Sequence, residues 1–527
     1  MNGPVKRLLS FATALFAVVS AGCGGGNTVV GPPPPPATGN FSNASLKGQY
    51  AFSMSGTELC GPRPGISTFF ARAGSFTADG SGHITGGVED VNVCTGVSTL
   101  QFTSSTYSIS ANGRGTLNLT NSTGTTSYSL TLTSPIQGFV AQTDSNATAS
   151  GSLQRQNPAA FSNPAIANGY VFDVFGASSI SNPESIIGRF DADGAGNINL
   201  GLYDSNEAGM LSGQQLFPAG AFYQFDHTFG QSGRGVAKIA GHNFAFYVVD
   251  STRLKLVGTD LPEVFSGEAF AQQTISFTVA SLHSGFSFLL GGSSSSGPIA
   301  TAGRFTADGA GNLSEIFLDE NNFGALTLLP SQGGIVTGSY TVDTNGLGGG
   351  GLGGGTATWT DTKAGTFTFI FYLISPTQAV FQETDNKITS DGTIRAQTAG
   401  PISPASLAGD FAFVWSGATQ IGSNVDSNDF VGQLKLTSAS GNNSTGIMDF
   451  TEFSPAHQNQ FFDIQSSGPL NVISPGTGPN TLTLTTTFPS PRTFNFTAYA
   501  VDSNTVFLIG AENNRVSVIA GSIARQP

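Results

Sequence analysis

The sequence predicts an all-β protein: four tandem antiparallel β-barrel (or β-sandwich) domains of about 115–125 residues each, behind a signal peptide and a Pro/Gly-rich linker. Three observations carry that expectation. Apolar residues alternate with small polar ones at a period of two, as in Tyr50, Phe52 and Met54 against Ala51 and Ser53. Charged residues make up only 10% of the 527 positions, too few for long helices with charged outer faces. Short phrases recur along the chain at nearly constant spacing, the mark of a repeated structural unit.

The N-terminus reads as an address. Lys6 and Arg7 precede an apolar run from Leu8 to Val19. That run is shorter than the roughly 20 residues needed to span a bilayer, and it suits the core of a signal peptide. Ser20-Ala21-Gly22-Cys23 follows and resembles the bacterial lipobox, which implies cleavage before Cys23 and lipidation of that residue. Residues 1–22 are therefore expected to be a lipoprotein signal peptide and residues 23–44 a tether. Gly24 to Gly26 would act as a swivel and Pro32 to Pro36 as a polyproline II spacer. Gly24 stands where an Asp would favour retention at the inner membrane, so the expected location is the outer membrane or cell surface.

Four units follow, at 45–157, 160–273, 278–399 and 404–527. Each opens on a Gly-aromatic-Phe phrase, with the first aromatic at Tyr50, Tyr170, Phe286 and Phe411. A second phrase, Gly-x-Phe-x-Ala-Asp-Gly-x-Gly, begins at Gly74, Gly188 and Gly303, and survives in the fourth unit only as Gly432-Gln433-Leu434. Its Asp-Gly-x-Gly is a hairpin turn, with Gly supplying positive φ. Gly-Arg-Gly turns stand at Gly113-Arg114-Gly115 and Gly233-Arg234-Gly235. An acid recurs late in each unit, at Asp144, Asp260, Asp385 and Glu512. Each unit ends on a Gly with Gln five positions later: Gly151/Gln156, Gly267/Gln272, Gly392/Gln397 and Gly521/Gln526. Counting alternating runs gives about eight or nine strands per unit, enough for a closed barrel. The first and last strands are expected to pair, closing each sheet and removing its edges.

Composition excludes several functions. Twenty basic against 33 acidic residues give a formal charge of −13, the wrong sign for a nucleic-acid face. Cys60 and Cys94 remain as a pair once Cys23 carries lipid, and an exported protein is expected to join them in a disulfide. Five scattered His give no zinc or triad spacing, and no nucleophile elbow or P-loop is present. No cofactor and no catalytic residues are expected. Asp191-Ala192-Asp193-Gly194 resembles the start of a calcium loop, but Ala195 and Leu202 stand where further ligands are required. If a weak calcium site exists, its candidate ligands are Asp79, Asp90, Asp193, Asp204, Asp308 and Asp319, in pairs 11 positions apart. The simpler reading puts both members of each pair at solvated hairpin ends. Phe outnumbers Tyr and Trp, 42 against 10 and 2, which favours core over a sugar platform, and Trp359 and Trp415 are expected to be core.

The lipobox, the Pro/Gly stalk and the tandem Gly-x-Tyr-Ala-Phe and Phe-x-Ala-Asp-Gly-x-Gly units resemble a group of bacterial surface lipoproteins. The opening Gly-x-Tyr and the strand count are loosely similar to calycin barrels. The resemblance implies a membrane partner through the N-terminal lipid and an extracellular or periplasmic ligand, but no catalytic residue. The expected function is that of a lipid-anchored envelope protein with a structural or binding role. Two alternatives make structural demands. A small apolar ligand or glycan, in or between the barrels, needs a cavity of at least ~300 Å³. An envelope enzyme with an inter-domain site needs a cleft where polar groups of two units converge with perturbed pKa values.

Overall fold

The computed structural model describes residues 27–34, 39–60, 67–179, 182–273, 276–343, 351–385, 387–398, 402–422, 424–438, 443–471, 480–512 and 517–527. The signal segment, Cys23, Gly24 to Gly26, Pro35 and Pro36 lie outside them. Among the described residues no helix is long and apolar enough to cross a membrane.

The chain folds into four antiparallel sheets, each drawn from one repeat unit apart from a single added strand. In the first unit the opening strand Lys47–Leu59 pairs with the last, Ala147–Arg155, throughout the latter's length. The ring of strands closes where His83 and Ile84 meet Thr106 and Ser105. The third unit closes in the same way through Asn312 and Leu313 against Ser339 and Gly338. The fourth closes through Ser466 and Ser467 against Thr486 and Thr485. Each ring holds eight strands, so these units are barrels rather than sandwiches. The second unit is a half-closed version of the same design. Its corresponding seam is a single bridge, Asn197 to Phe222.

The recurrent phrases have steric causes. A Cβ at Gly74, Gly188, Gly303 or Gly432 would meet the ring of Phe52, Phe172, Phe288 or Phe413 at 2.7, 2.8, 2.4 and 2.6 Å. The second phrase therefore needs Gly to admit the aromatic of the first. A Cβ at Gly151, Gly267, Gly392 or Gly521 would lie 1.9, 1.9, 2.0 and 2.1 Å from a carbonyl oxygen of the opening strand. Each unit ends on Gly because its last strand crosses its first at that separation.

The barrels are filled. In the third, Trp359 stacks among Phe288, Phe305, Phe369 and Phe381, with Phe369 and Phe381 rings 4.6 Å apart. Trp415 is equally buried in the fourth, against Phe413 and Phe496. Phe, Tyr and Leu fill the first and second in the same manner. Among the described residues core side chains occupy the barrel interiors, which argues against an apolar ligand inside a barrel. Cys60 and Cys94 form a disulfide linking the end of the first hairpin to the next strand.

The tether departs from a free spacer over part of its length. Thr28–Val30, β-branched and suited to a strand, adds in parallel to Gln460–Phe462 of the fourth barrel.

Low charge also has a cause beyond the turns. The outer faces of the barrels are buried against one another. Ala51, Ala71 and Ala73 of unit one pack on Tyr247, Val249 and Val257 of unit two. Val171 and Ile187 of unit two pack on Tyr372 and Ile374 of unit three. Ala300 and Ala302 of unit three pack on Tyr499, Phe507 and Ile509 of unit four. Ala412 and Val431 of unit four return to Phe139 and Ala141 of unit one. The contacts run head to tail and close, so the four barrels form a ring, the outcome expected when a heterologous interface is repeated with a closing rotation.

Candidate functional site

The polar residues that recur in the sequence are the fastenings of this ring. Asp90, Asp204 and Asp319 accept hydrogen bonds from the hydroxyls of Tyr247, Tyr372 and Tyr499 in the next unit at 2.6, 2.7 and 2.8 Å. Burial, partly offset by the Tyr bond, raises Asp204 and Asp319 to about 6. Two positions on, Asn92, Asn206 and Asn321 donate their amides to backbone carbonyls of the same neighbour. The closing Gln156, Gln272, Gln397 and Gln526 each donate to carbonyls of the following unit. Gln526 completes the circuit by reaching back to Asn112 and Leu132 of unit one, at 3.0 and 2.6 Å. The Gly-Arg-Gly turns serve the same end. Arg234 holds Asp90 of unit one, and Arg114 of unit one holds Asp449 and Asp463 of unit four.

The candidate calcium ligands are thereby separated. Asp79, Asp193 and Asp308 lie at exposed hairpin tips, where each carboxylate accepts backbone N–H groups of its own turn. Those bonds lower all three below the usual carboxylate range. Their partners sit several residues along the strand. Asp79 faces Lys47 while Asp90 faces Ala73. The reading of the second acids as solvated hairpin ends is corrected: Asp90, Asp204 and Asp319 are buried, because a Tyr of the neighbouring barrel covers each one.

The recurrent late acid caps a strand. Asp260 accepts from Asn243 and Asp385 from Thr368. His242, Asp260 and Glu263 form the one group of three His, Cys or carboxylate side chains among the described residues whose ligand atoms all lie within 4.8 Å of one another. Within it His242 Nδ1 meets Glu263 Oε2 at 2.6 Å, and Asp260 is held by its capping role. Among the described residues no Ser, Thr or Cys side chain hydrogen-bonds a His ring.

The barrels leave one further feature at their junction. A recess of about 420 Å³ lies where units two, three and four meet, walled by their first and last strands together with Arg253 of unit two and Ile374, Gln378 and Val380 of unit three. The closing glycines Gly267, Gly392 and Gly521 all face it. Here the fourfold repetition is broken. The positions that are Ser53 and Ser152 in unit one are Asp173 and Glu268 in unit two. Sequence reasoning missed this cluster, because its members come from separate units and match no spacing.

Its charges are ordered by contact. Glu268 accepts from Arg253 at 2.8 Å and from Lys255 at 2.8 Å, and Lys255 also reaches Ser53 and Ser152 of unit one. Burial raises the Glu268 carboxyl, but the two cations outweigh it and bring it down to about 2. Burial lowers Lys255 to about 8 against the pull of Glu268. Asp391 accepts from Ser185 of unit two at 2.6 Å, and burial raises it to about 7 despite that bond. Burial and then the charges of Asp391 and Glu268 push Asp173 well above the carboxylate range. The Arg395 side chain has no ion pair or hydrogen bond among the described residues, and it is exposed at the recess. The recess therefore offers an unpaired guanidinium near the ion-paired Glu268 and beside Asp173 and Asp391, whose carboxyls burial pushes toward the protonated form, over an apolar wall of Phe270, Leu289, Ile374 and Val380.

The chain matches no protein-family model and no curated protein. Solved structures that it resembles include a transferrin binding protein B from Neisseria meningitidis, at 7% identity and a TM-score of 0.21, covering 73% of this chain and 83% of that one. A transferrin binding protein B from Haemophilus parasuis matches at 8% identity and a TM-score of 0.20, over 74% of this chain and 83% of that one. Likenesses this distant carry no argument about function.

Proposed function

We propose that this chain is a lipid-anchored protein of the bacterial cell envelope that binds a small organic anion in the recess at the junction of its barrels. The single observation that carries the binding reading is Arg395. A guanidinium with no partner, in a recess of about 420 Å³ with an apolar wall, is a site for a carboxylate or sulfonate bearing an apolar body. Gln378 adds an amide to the same wall. The four-barrel ring is the frame that holds the walls in place, since three units must dock for the recess to exist. The anchor reading rests on the lipobox at Cys23 and the tether that follows it.

Anilinonaphthalene sulfonate, an apolar anion that fluoresces when shielded from water, is a direct probe. Saturable binding to the native ring, weakened about tenfold or more in Arg395→Gln (~1.4 kcal/mol per decade), is the expected outcome. Equal binding by the variant would sink the assignment. Separately, Cys23→Ala should move the protein from the membrane to the soluble fraction, and unchanged membrane association would remove the anchor from the account.

A further inference from the structure

One end of the third barrel's interior carries polar side chains where the first barrel places a cation of its own. Thr301 pairs with Leu290 on one side and with Glu320 on the other. Leu290 belongs to the barrel core, so Thr301 and Glu320 both face inward. Glu383 pairs with Phe369, also a core residue, and faces inward from the opposite wall. All three are at least nine-tenths buried. The Thr301 hydroxyl, Glu320 Oε2 and Glu383 Oε1 have no hydrogen-bond partner among the described residues. Three buried oxygen donors left open in one barrel end are costly unless something occupies the space between them.

The repeat shows what that occupant should be. Thr301 precedes Asp308 by the same seven positions by which Arg72 precedes Asp79. In the first barrel Arg72 points inward, donates to Tyr128 at 2.7 Å and pairs with Glu89 at 3.3 Å. The acid at this end of the first barrel thus has an internal guanidinium. The third barrel has two inward glutamates here, with Asp385 nearby, and a hydroxyl where the guanidinium would be. Burial and then mutual repulsion hold Glu383 well above its usual range, while burial and then Asp385 raise Glu320 to about 7.

We infer that a hard divalent cation of the calcium class binds inside the third barrel, held by Glu320, Glu383 and the Thr301 hydroxyl, in the place that Arg72 fills in the first. An all-oxygen donor set with two carboxylates suits such an ion in charge and in softness. The site is distinct from the hairpin acids, which satisfy their own turns, and from the recess.

The test is calorimetry and thermal melting of the full mature chain, stripped with chelator and titrated with calcium chloride. The native protein should take up one ion per chain at this site and melt at a higher temperature in calcium than in chelator. Glu383→Gln should weaken that uptake at least tenfold, whereas Asp308→Asn, at the exposed hairpin tip, should leave it unchanged. Thr301→Arg should restore the arrangement of the first barrel: a folded protein whose melting temperature no longer responds to calcium. The inference is overturned if the native protein shows neither uptake nor a calcium-dependent melt. It is equally overturned if Glu383→Gln or a folded Thr301→Arg binds calcium as the native chain does.

Discussion

Asp391→Asn should make the ring more stable than the native protein above neutral pH and change it little in mild acid. Asp391 is half-buried, accepts one hydrogen bond from Ser185 at 2.6 Å, and is raised to about 7 by desolvation from its ordinary value of 3.8. The folded state therefore binds this proton more tightly than the unfolded state. The sign follows: stability from this group is complete below about pH 4 and is lost as the pH rises through about 7. A displacement of about 3 units at 1.36 kcal/mol each puts the loss on the order of 4 kcal/mol. Asn is neutral, has the same shape and still accepts from Ser185, so it removes the titration and keeps the contact. Asp173, which repels Asp391, should also be relieved. The assay compares melting of variant and parent at pH 4 and pH 8. A four-barrel chain need not unfold in two states, so the difference between the proteins is the quantity read. Parallel decline of both across that interval would refute the burial argument.

Other outcomes follow from the fastenings. Arg114→Ala strands Asp449 and Asp463 of the fourth barrel, and losing a buried pair of this kind costs about 3 kcal/mol; amide exchange should rise at the boundary of units one and four ahead of the barrel interiors. Tyr499→Phe leaves Asp319 without its hydroxyl donor and should lower stability by about 1–3 kcal/mol, with a melting scan as the readout. Gly392→Ala places a Cβ 2.0 Å from the Leu289 carbonyl oxygen and should cost the third barrel its closing pair, seen as loss of soluble protein or new protease cleavage there. Reducing the Cys60–Cys94 bridge, which spans 34 positions, should lower the stability of the first barrel by roughly 3–4 kcal/mol.

The barrels were legible because their causes are local. Alternation around Tyr50 and Phe52, the Asp-Gly turns and the closing glycines act within one unit, and the pairing of first and last strands follows from them. The ring was not legible, although its residues were in view. Asp90, Gln156 and Arg234 each recur, but a recurrent Asp reads as a turn residue until the Tyr that covers it is known to come from another barrel. The buried outer faces left a faint signal, in that Ala51, Ala71 and Ala73 are apolar where a solvated barrel would carry charge. The recess was beyond reach, since Asp173, Arg253 and Glu268 of unit two meet Asp391 and Arg395 of unit three only when the units dock. Glu320 and Asp319 show the same divide: alternation correctly sends them to opposite faces, but only the closed fold makes one face an interface and the other a barrel interior.

Closure of the ring is the claim on which the recess and its fastenings depend, and small-angle X-ray scattering of the mature protein tests it most directly. A compact chain of this length has a radius of gyration of about 25 Å, whereas four such domains strung in a line would exceed about 35 Å. The account predicts the smaller value and its retention on dilution; the larger value, or a scattering profile of independently moving barrels, would contradict it.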